Sequence, residues 1–496
     1  METLNSLLAG FSVALRPEVL MYCVIGCLWG TIVGVLPGLG PLAGLTLLLP
    51  ITYYLEPTAA IVMLAGIFYG AMYGGSTTSI LVRIPGEAAS IMTAIDGHEM
   101  ARKGRAGPAL VVAAIGSFIG GTVSVVGLML FAPPLAQLML QIGPAAEFGL
   151  MLLALVVLCF ASGGPALKTF AMVVAGLLVA TVGVDMITAH PRFTFGSLHL
   201  VNGISFVAMA LGMFGVSEIL INLEDIAKVK VIKPTLRSLM PRRQDLKDSA
   251  PAIGRGTVIG FSFGFIPGIS HVISTFVSYA VERKLSRQPE TFGTGRIEAV
   301  AGPETANNAT TGSAMIPLLV LGIPAIPATA ILLAALQIHG VQPGPQMLTE
   351  HPQMFWGLIA SMYIGNLVLL FFNLPLVGLF VNLLRIPYAY LAPSILLVSI
   401  IGIYSVSGNA LDILIMALSG VVGYVLRKAK FDPAPLLLAV VLGDRLEVSL
   451  RRALLISQGD WWALLQGAMS KIFLGAVLLL VLLQSAAWLL GFRRKP

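Results

Sequence analysis

Long stretches of this chain contain no Asp, Glu, Lys or Arg, among them residues 19 to 55, 57 to 82, 106 to 146, 148 to 167, 305 to 349, 353 to 384, 386 to 411 and 472 to 492. A membrane-spanning helix needs about 20 apolar residues, so several of these stretches can hold two passes. Of the 496 residues, 57% are hydrophobic and 11% charged, against roughly 25% charged in a soluble domain. Such a chain is a membrane protein. A membrane barrel needs alternating segments of about ten residues, whereas these runs are continuous. The expected fold is therefore all-α and polytopic, with roughly 10–14 transmembrane helices. The 53 glycines and 30 prolines recur inside the apolar runs, so broken or re-entrant helices are expected.

The net charge of +7 reads as basic cytoplasmic loops of a multi-pass inner-membrane protein, with no nucleic-acid partner. Cys23, Cys27 and Cys159 lie in apolar stretches and form neither a disulfide framework nor a zinc site. The N-terminus lacks a basic start and a cleavage site, so the first span is expected to be its own insertion signal. The most polar segment, 224 to 255, carries Lys228, Lys230, Lys233, Arg237, Arg242, Arg243, Lys247 and Arg255. It is expected to be a cytoplasmic linker between a first half (1–223) and a second (256–496).

The halves contain a repeat. GTIVGVLPGLG at 30 to 40 and GFSFGFIPGIS at 260 to 270 share a pattern at an offset of 230 residues. A looser pair follows, GGSTTSILVRIPG at 74 to 86 and NNATTGSAMIPLLVLGIPA at 307 to 325, each running from small polar residues to Ile-Pro. Loop charges relate the halves. After the first motif, 50 to 58 has no Lys or Arg, whereas 281 to 297 has Arg283, Lys284, Arg287 and Arg296; after the second, 96 to 107 has Arg102, Lys103 and Arg105, and 338 to 352 has none. By the positive-inside rule equivalent loops lie on opposite sides of the membrane. That is the charge signature of two inverted-topology repeats, whose paired Gly/Pro breaks point to a transporter's binding site.

Pro37-Gly38 with Gly40, and Pro267-Gly268 with Ser270, can each break a helix and free backbone groups in the membrane. N–H ends suit a carboxylate and carbonyl ends suit Na+. Ser76, Thr77 and Thr78 in one half, with Asn307, Asn308, Thr310 and Thr311 in the other, supply neutral polar ligands; interhelical hydrogen bonding is the competing role. Glu304, at the edge of a long uncharged run, is the candidate for cation or proton coupling, or else a charge at a helix N-terminus. His271 follows the second break, where the first half has Pro41. Asp185, Glu218 and Asp412 read as isolated acids at solvated span ends, and Trp461-Trp462 as an interfacial anchor. No catalytic motif stands in a convincing context, so neither an enzyme nor a cofactor is expected.

Further residues carry a family resemblance: GVLPGLGPLAGLTLLLP (34 to 50), YGGSTTSILVRIPGE (73 to 87), DGHEMARKGRAGPAL (96 to 110), RFTFG (192 to 196), PETANNATTGSAMIPLLVLGIP (303 to 324) and GDRLEVSLRRAL (443 to 454). In these the chain resembles the large membrane subunit, TctA type, of the tripartite tricarboxylate transporters. The resemblance implies an inner-membrane secondary transporter that imports small organic carboxylates on a Na+ or H+ gradient. It also implies a small TctB-type membrane subunit of about four spans and a periplasmic TctC-type binding protein. Ser270-His271 departs from the small residues more usual there. A passive carboxylate channel is the alternative, and concentrative uptake distinguishes the two. The basic tail Arg493-Arg494-Lys495 fits a cytoplasmic C-terminus.

Overall fold

Helix follows helix through the computed structural model, which describes residues 2–36, 39–161, 165–224, 240–268, 271–383 and 388–492. The first half holds α1 (Glu2–Ala14), α2 (Pro17–Val35), α3 (Gly40–Thr52) and α4 (Pro57–Val82), then α5 (Ile91–Arg102), α6 (Ala106–Met139), α7 (Pro144–Ala161) and α8 (Ala166–Ala180). A two-residue antiparallel pairing, β1 (Gly183–Val184) with β2 (Pro191–Arg192), sits in the following loop. Next, α9 (Phe206–Ala210) passes through a π-helical turn at Leu211–Val216 into α10 (Ser217–Glu224). The second half holds α11 (Arg243–Gly264), α12 (His271–Leu285), α13 (Glu298–Ser313), α14 (Pro327–Ile338), α15 (Met347–Glu350) and α16 (Pro352–Asn373). It closes with α17 (Val377–Leu383), α18 (Tyr388–Ser407), α19 (Ala410–Lys428), α20 (Ala434–Ile456) and α21 (Ala468–Phe492).

Among the described residues seven helices are long and apolar enough to cross a membrane, including α2, α4, α6, α16 and α19. Shorter apolar helices such as α3 and α14 lie beside them. The fold is that of an all-α polytopic membrane protein. Proline opens α2, α4, α14 and α16, where its missing N–H has no partner to lose and its φ suits the first turn. Of the polar segment 224–255, residues 225–239 lie outside the described residues. Residues 243–255 are the first part of α11 rather than linker, and Arg105 reaches Asp245 there at 2.5 Å. The tail 493–495 also lies outside the described residues.

Glycine explains how the halves pack. Gly26, Gly30 and Gly34 bring α2 against the backbone of Met63, Ile67 and Ala71 in α4, and Gly256, Gly260 and Gly264 bring α11 against Gly302, Ala306 and Thr310 in α13. A Cβ on Gly30 would stand 2.8 Å from the Ile67 Cα, and one on Gly260 2.8 Å from the Ala306 Cα. Both pairs run parallel, at a separation only glycine permits.

The second motif repeats in backbone detail. Arg83 (φ 63°, ψ 20°) ends α4 in the left-handed region, and Gly322 (φ 67°, ψ 24°) does the same beyond α13. Four residues later Glu87 (φ −145°, ψ 163°) and Ile326 (φ −145°, ψ 162°) are superposable in dihedral space. Each N–H then donates to a hydroxyl three residues on, Glu87 to Ser90 at 3.4 Å and Ile326 to Thr329 at 3.1 Å. Two short sequences with few identities thus build one break twice.

Candidate functional site

The breaks converge. A cavity of about 410 Å³ lies where α3 starts at Gly40, α12 at His271 and α14 at Pro327, with the segment Pro85 to Ala89 between them. The first-turn N–H groups of a helix have no intrahelical partner and carry partial positive charge. Three such ends around one space favour an anion. Phe68 and Met72 of α4 and Phe214 of the π-helical turn form an apolar wall, and Glu87, Glu218, His271 and Arg427 bring charge or titratable rings to it.

Behind the cavity a polar seam joins the halves. Glu304, fully buried in α13, accepts hydrogen bonds from Ser76 of α4 and Thr93 of α5. Its burial settles it as an interior group rather than a helix-end charge at the interface. Asn307 Nδ2 donates to Glu87 Oε1 at 2.6 Å, while the buried Asn307 Oδ1 has no partner. His271 Nε2 meets Thr311 Oγ1 at 3.2 Å, and the imidazole stands edge-on to Phe68. Ser76, Asn307, Thr311 and Glu304 are therefore gathered beside the cavity, and Gly40 lies on its wall.

Other candidates hold helices together. Thr78 Oγ1 donates to the Val35 carbonyl at 2.5 Å, closing the end of α2 just before the first break. Asn308 Nδ2 donates to Ser117 Oγ of α6 at 2.7 Å, and Thr310 bonds Ser274 Oγ at 2.8 Å and the Gly260 carbonyl at 3.1 Å. Thr77 is buried in α4 near Ser76. Gly268 (φ 90°) donates to the Ala325 carbonyl at 2.8 Å, so the Pro267-Gly268 break is tied to the Ile-Pro break of its own half. Pro37, Gly38 and Ser270 lie outside the described residues.

The profile of the Tripartite tricarboxylate transporter TctA family matches residues 20–438. The chain belongs to that family. TctA proteins are transporter subunits, not enzymes. A 52.8 kDa protein from the TAR-I ttuC' 3'region of Agrobacterium vitis is 48% identical over 460 residues, covering 93% of this chain and 92% of the relative. A second protein, from the TAR-II ttuC' 3'region of the same organism, is 48% identical over 224 residues, 45% of this chain and 93% of the relative. No solved structure matches the chain.

Two acids in this TctA chain depart from the sequence expectation of solvated, isolated groups. Asp185 stands 2.5 Å from Arg451 and 3.6 Å from Arg192, and Arg192 forks onto Glu447 at 2.8 and 3.1 Å. The Arg451 guanidinium holds the Asp185 carboxyl well below the usual carboxylate range, helped by N–H bonds from Thr188 and Ile187. These groups line a second cavity of about 340 Å³ and fasten the β1–β2 loop to α20. Glu218 pairs with Arg427 on the first cavity's rim. Asp412 lies in the first turn of α19.

Sequence reasoning had not singled out Glu87, Arg427 or Thr93. Glu87 had a legible signal, a lone carboxylate directly after Ile-Pro-Gly in a broken apolar run. Arg427 lies in the last turn of α19, and only the fold brings it to Glu218, 209 residues away in the chain.

Proposed function

We propose that this chain is the large permease subunit of a cation-driven tripartite transporter that brings small organic carboxylates across the inner membrane. Three helix N-termini around one cavity carry this reading: they supply N–H donors and positive field for a carboxylate without a permanent ion pair that would block release. His271 adds a ring nitrogen. The apolar wall of Phe68, Met72 and Phe214 suits a short carbon skeleton.

The two halves are read as inverted repeats. α5 ends at Arg102, and Arg105 lies beside the start of α11. α2, parallel to α4, therefore points toward this basic end, while α11 starts there and points away. With basic residues inside, equivalent helices enter from opposite faces. One half then rocks against the other to expose the cavity alternately. Glu304, cradled by Ser76 and Thr93, is the coupling candidate for Na+ or H+. A small TctB-type subunit and a periplasmic TctC-type binding protein complete the system.

Uptake of labelled citrate, succinate and related carboxylates into proteoliposomes holding all three subunits, with Na+ and pH gradients imposed separately, tests the reading. Accumulation driven by one gradient is expected. Equilibration without accumulation under both would make the protein a channel.

A further inference from the structure

An anion site should not contain a carboxylate, yet Glu87 is on the cavity wall. It sits half-buried between α4 and α5, and among the described residues no Lys or Arg pairs with it. Arg427, the cation on the rim, is held by Glu218. Two further acids or bases face the same region: His271 from α12, bonded to Thr311, and Glu304 from α13, bonded to Ser76 and Thr93. An ionised Glu87 would therefore repel an incoming carboxylate, and among the described residues no free Lys or Arg stands beside it to offset that charge.

The fold does not require the acid. Ile326 occupies the equivalent place in the second half with the same dihedral angles. The turn at residue 87 is closed by its backbone N–H and Ser90 Oγ, not by its carboxylate. Close packing nevertheless aims the side chain: a Cβ on Gly75 would stand 2.9 Å from Glu87 Cγ.

Asn307 completes the argument. It donates N–H to Glu87, but its buried Oδ1 has no partner, and a buried acceptor left without a donor is costly. A carboxylic acid and a primary amide pair through two hydrogen bonds, N–H to the acid carbonyl and acid O–H to the amide carbonyl. The second bond requires a proton on Glu87.

We propose that Glu87 is the substrate-linked proton site: its acid form pairs with Asn307 and admits an anionic carboxylate, and its ionised form expels one. The proton comes from the aqueous phase that supplies the substrate and is released with it on the other side. This inference rests on the carboxylate reading of the cavity and names H+ as a coupling ion there.

The test uses the full chain in nanodiscs, with succinate and citrate as probes titrated calorimetrically above about pH 7, where succinate is fully ionised, in buffers of differing ionisation enthalpy. Wild type should take up about one proton per succinate, with affinity falling up to tenfold per pH unit. Glu87→Gln, which keeps the acceptor for Asn307, should bind with no proton uptake and a flat pH profile. Unchanged proton uptake in Glu87→Gln, or Na+-dependent binding without proton uptake in wild type, would overturn the proposal. If neither probe binds, the carboxylate reading fails, and Glu87 is judged separately by infrared spectroscopy. A carboxylic-acid band that vanishes at high pH, is absent from Glu87→Gln and shifts in Asn307→Ala supports the acid–amide pair; its absence from wild type refutes it.

Discussion

Replacing Gly260 by Ala adds one methyl where α11 meets α13. Its Cβ would lie 2.8 Å from the Ala306 Cα, against a comfortable carbon separation of about 3.5–4.0 Å. The two helices must then part by about 1 Å locally, and overpacking of this kind costs about 1–3 kcal/mol. The same movement stretches the bond from Thr310 Oγ1 to the Gly260 carbonyl, now 3.1 Å, toward or past the limit of a useful hydrogen bond. It also drags Asn307, one turn earlier on α13, away from Glu87. Gly254, on the same helix, has nothing within 4 Å of a would-be Cβ. Gly254→Ala should therefore be neutral or stabilising by about 0.4–1 kcal/mol. Thermal unfolding in one detergent, followed by tryptophan fluorescence, should place Gly260→Ala below wild type and Gly254→Ala at or above it. Equal melting temperatures for the two variants would refute the packing argument.

Thr78→Val keeps shape but removes the donor to the Val35 carbonyl, and should cost about 1–3 kcal/mol in the same unfolding assay; no loss would mean that the carbonyl finds another donor. Arg451→Ala should lower the melting temperature by an amount that depends on pH in one direction. Because Asp185 is depressed in the folded state, the stabilisation is complete above the ordinary aspartate range near pH 4 and fades as pH falls below it. A wild-type minus variant gap that grows on acidification contradicts that sign. Glu304→Gln should insert into the membrane normally but lose gradient-driven accumulation, and full accumulation by this variant would remove Glu304 from coupling. Asn307 or Thr77 replaced by leucine should abolish uptake without loss of insertion, and unchanged uptake kinetics would take those positions out of the site.

The membrane class and the two breaks were legible because they depend on local properties. Uncharged runs, Pro-Gly and Ile-Pro act within a few residues of themselves. The two roles open to the polar residues could not be separated in the same way. Thr310 and Thr311 are adjacent, yet one ties α13 to α11 and α12 while the other meets His271. Which side of a helix faces a cavity depends on its neighbours, and helices that are apolar all round give no periodicity to read. Asp185 illustrates the limit from the other direction. Its partner Arg451 lies 266 residues away, so nothing near Asp185 in the chain announces the pair.

Repetition also separates what the backbone needs from what the chemistry needs. Where the halves agree, at Gly30 and Gly260 or in the turns after Glu87 and Ile326, the shared feature is a close approach or a dihedral angle. Where they differ at equivalent places, the difference is a functional group: Pro41 against His271, Glu87 against Ile326. The Glu87 difference leaves its break intact, since Ile326 takes the same dihedral angles without a carboxylate. His271 and Glu87 both face the cavity at which α3, α12 and α14 begin. Duplicated geometry thus provides converging helix ends, and asymmetric side chains at matched positions give that symmetric frame a titratable interior.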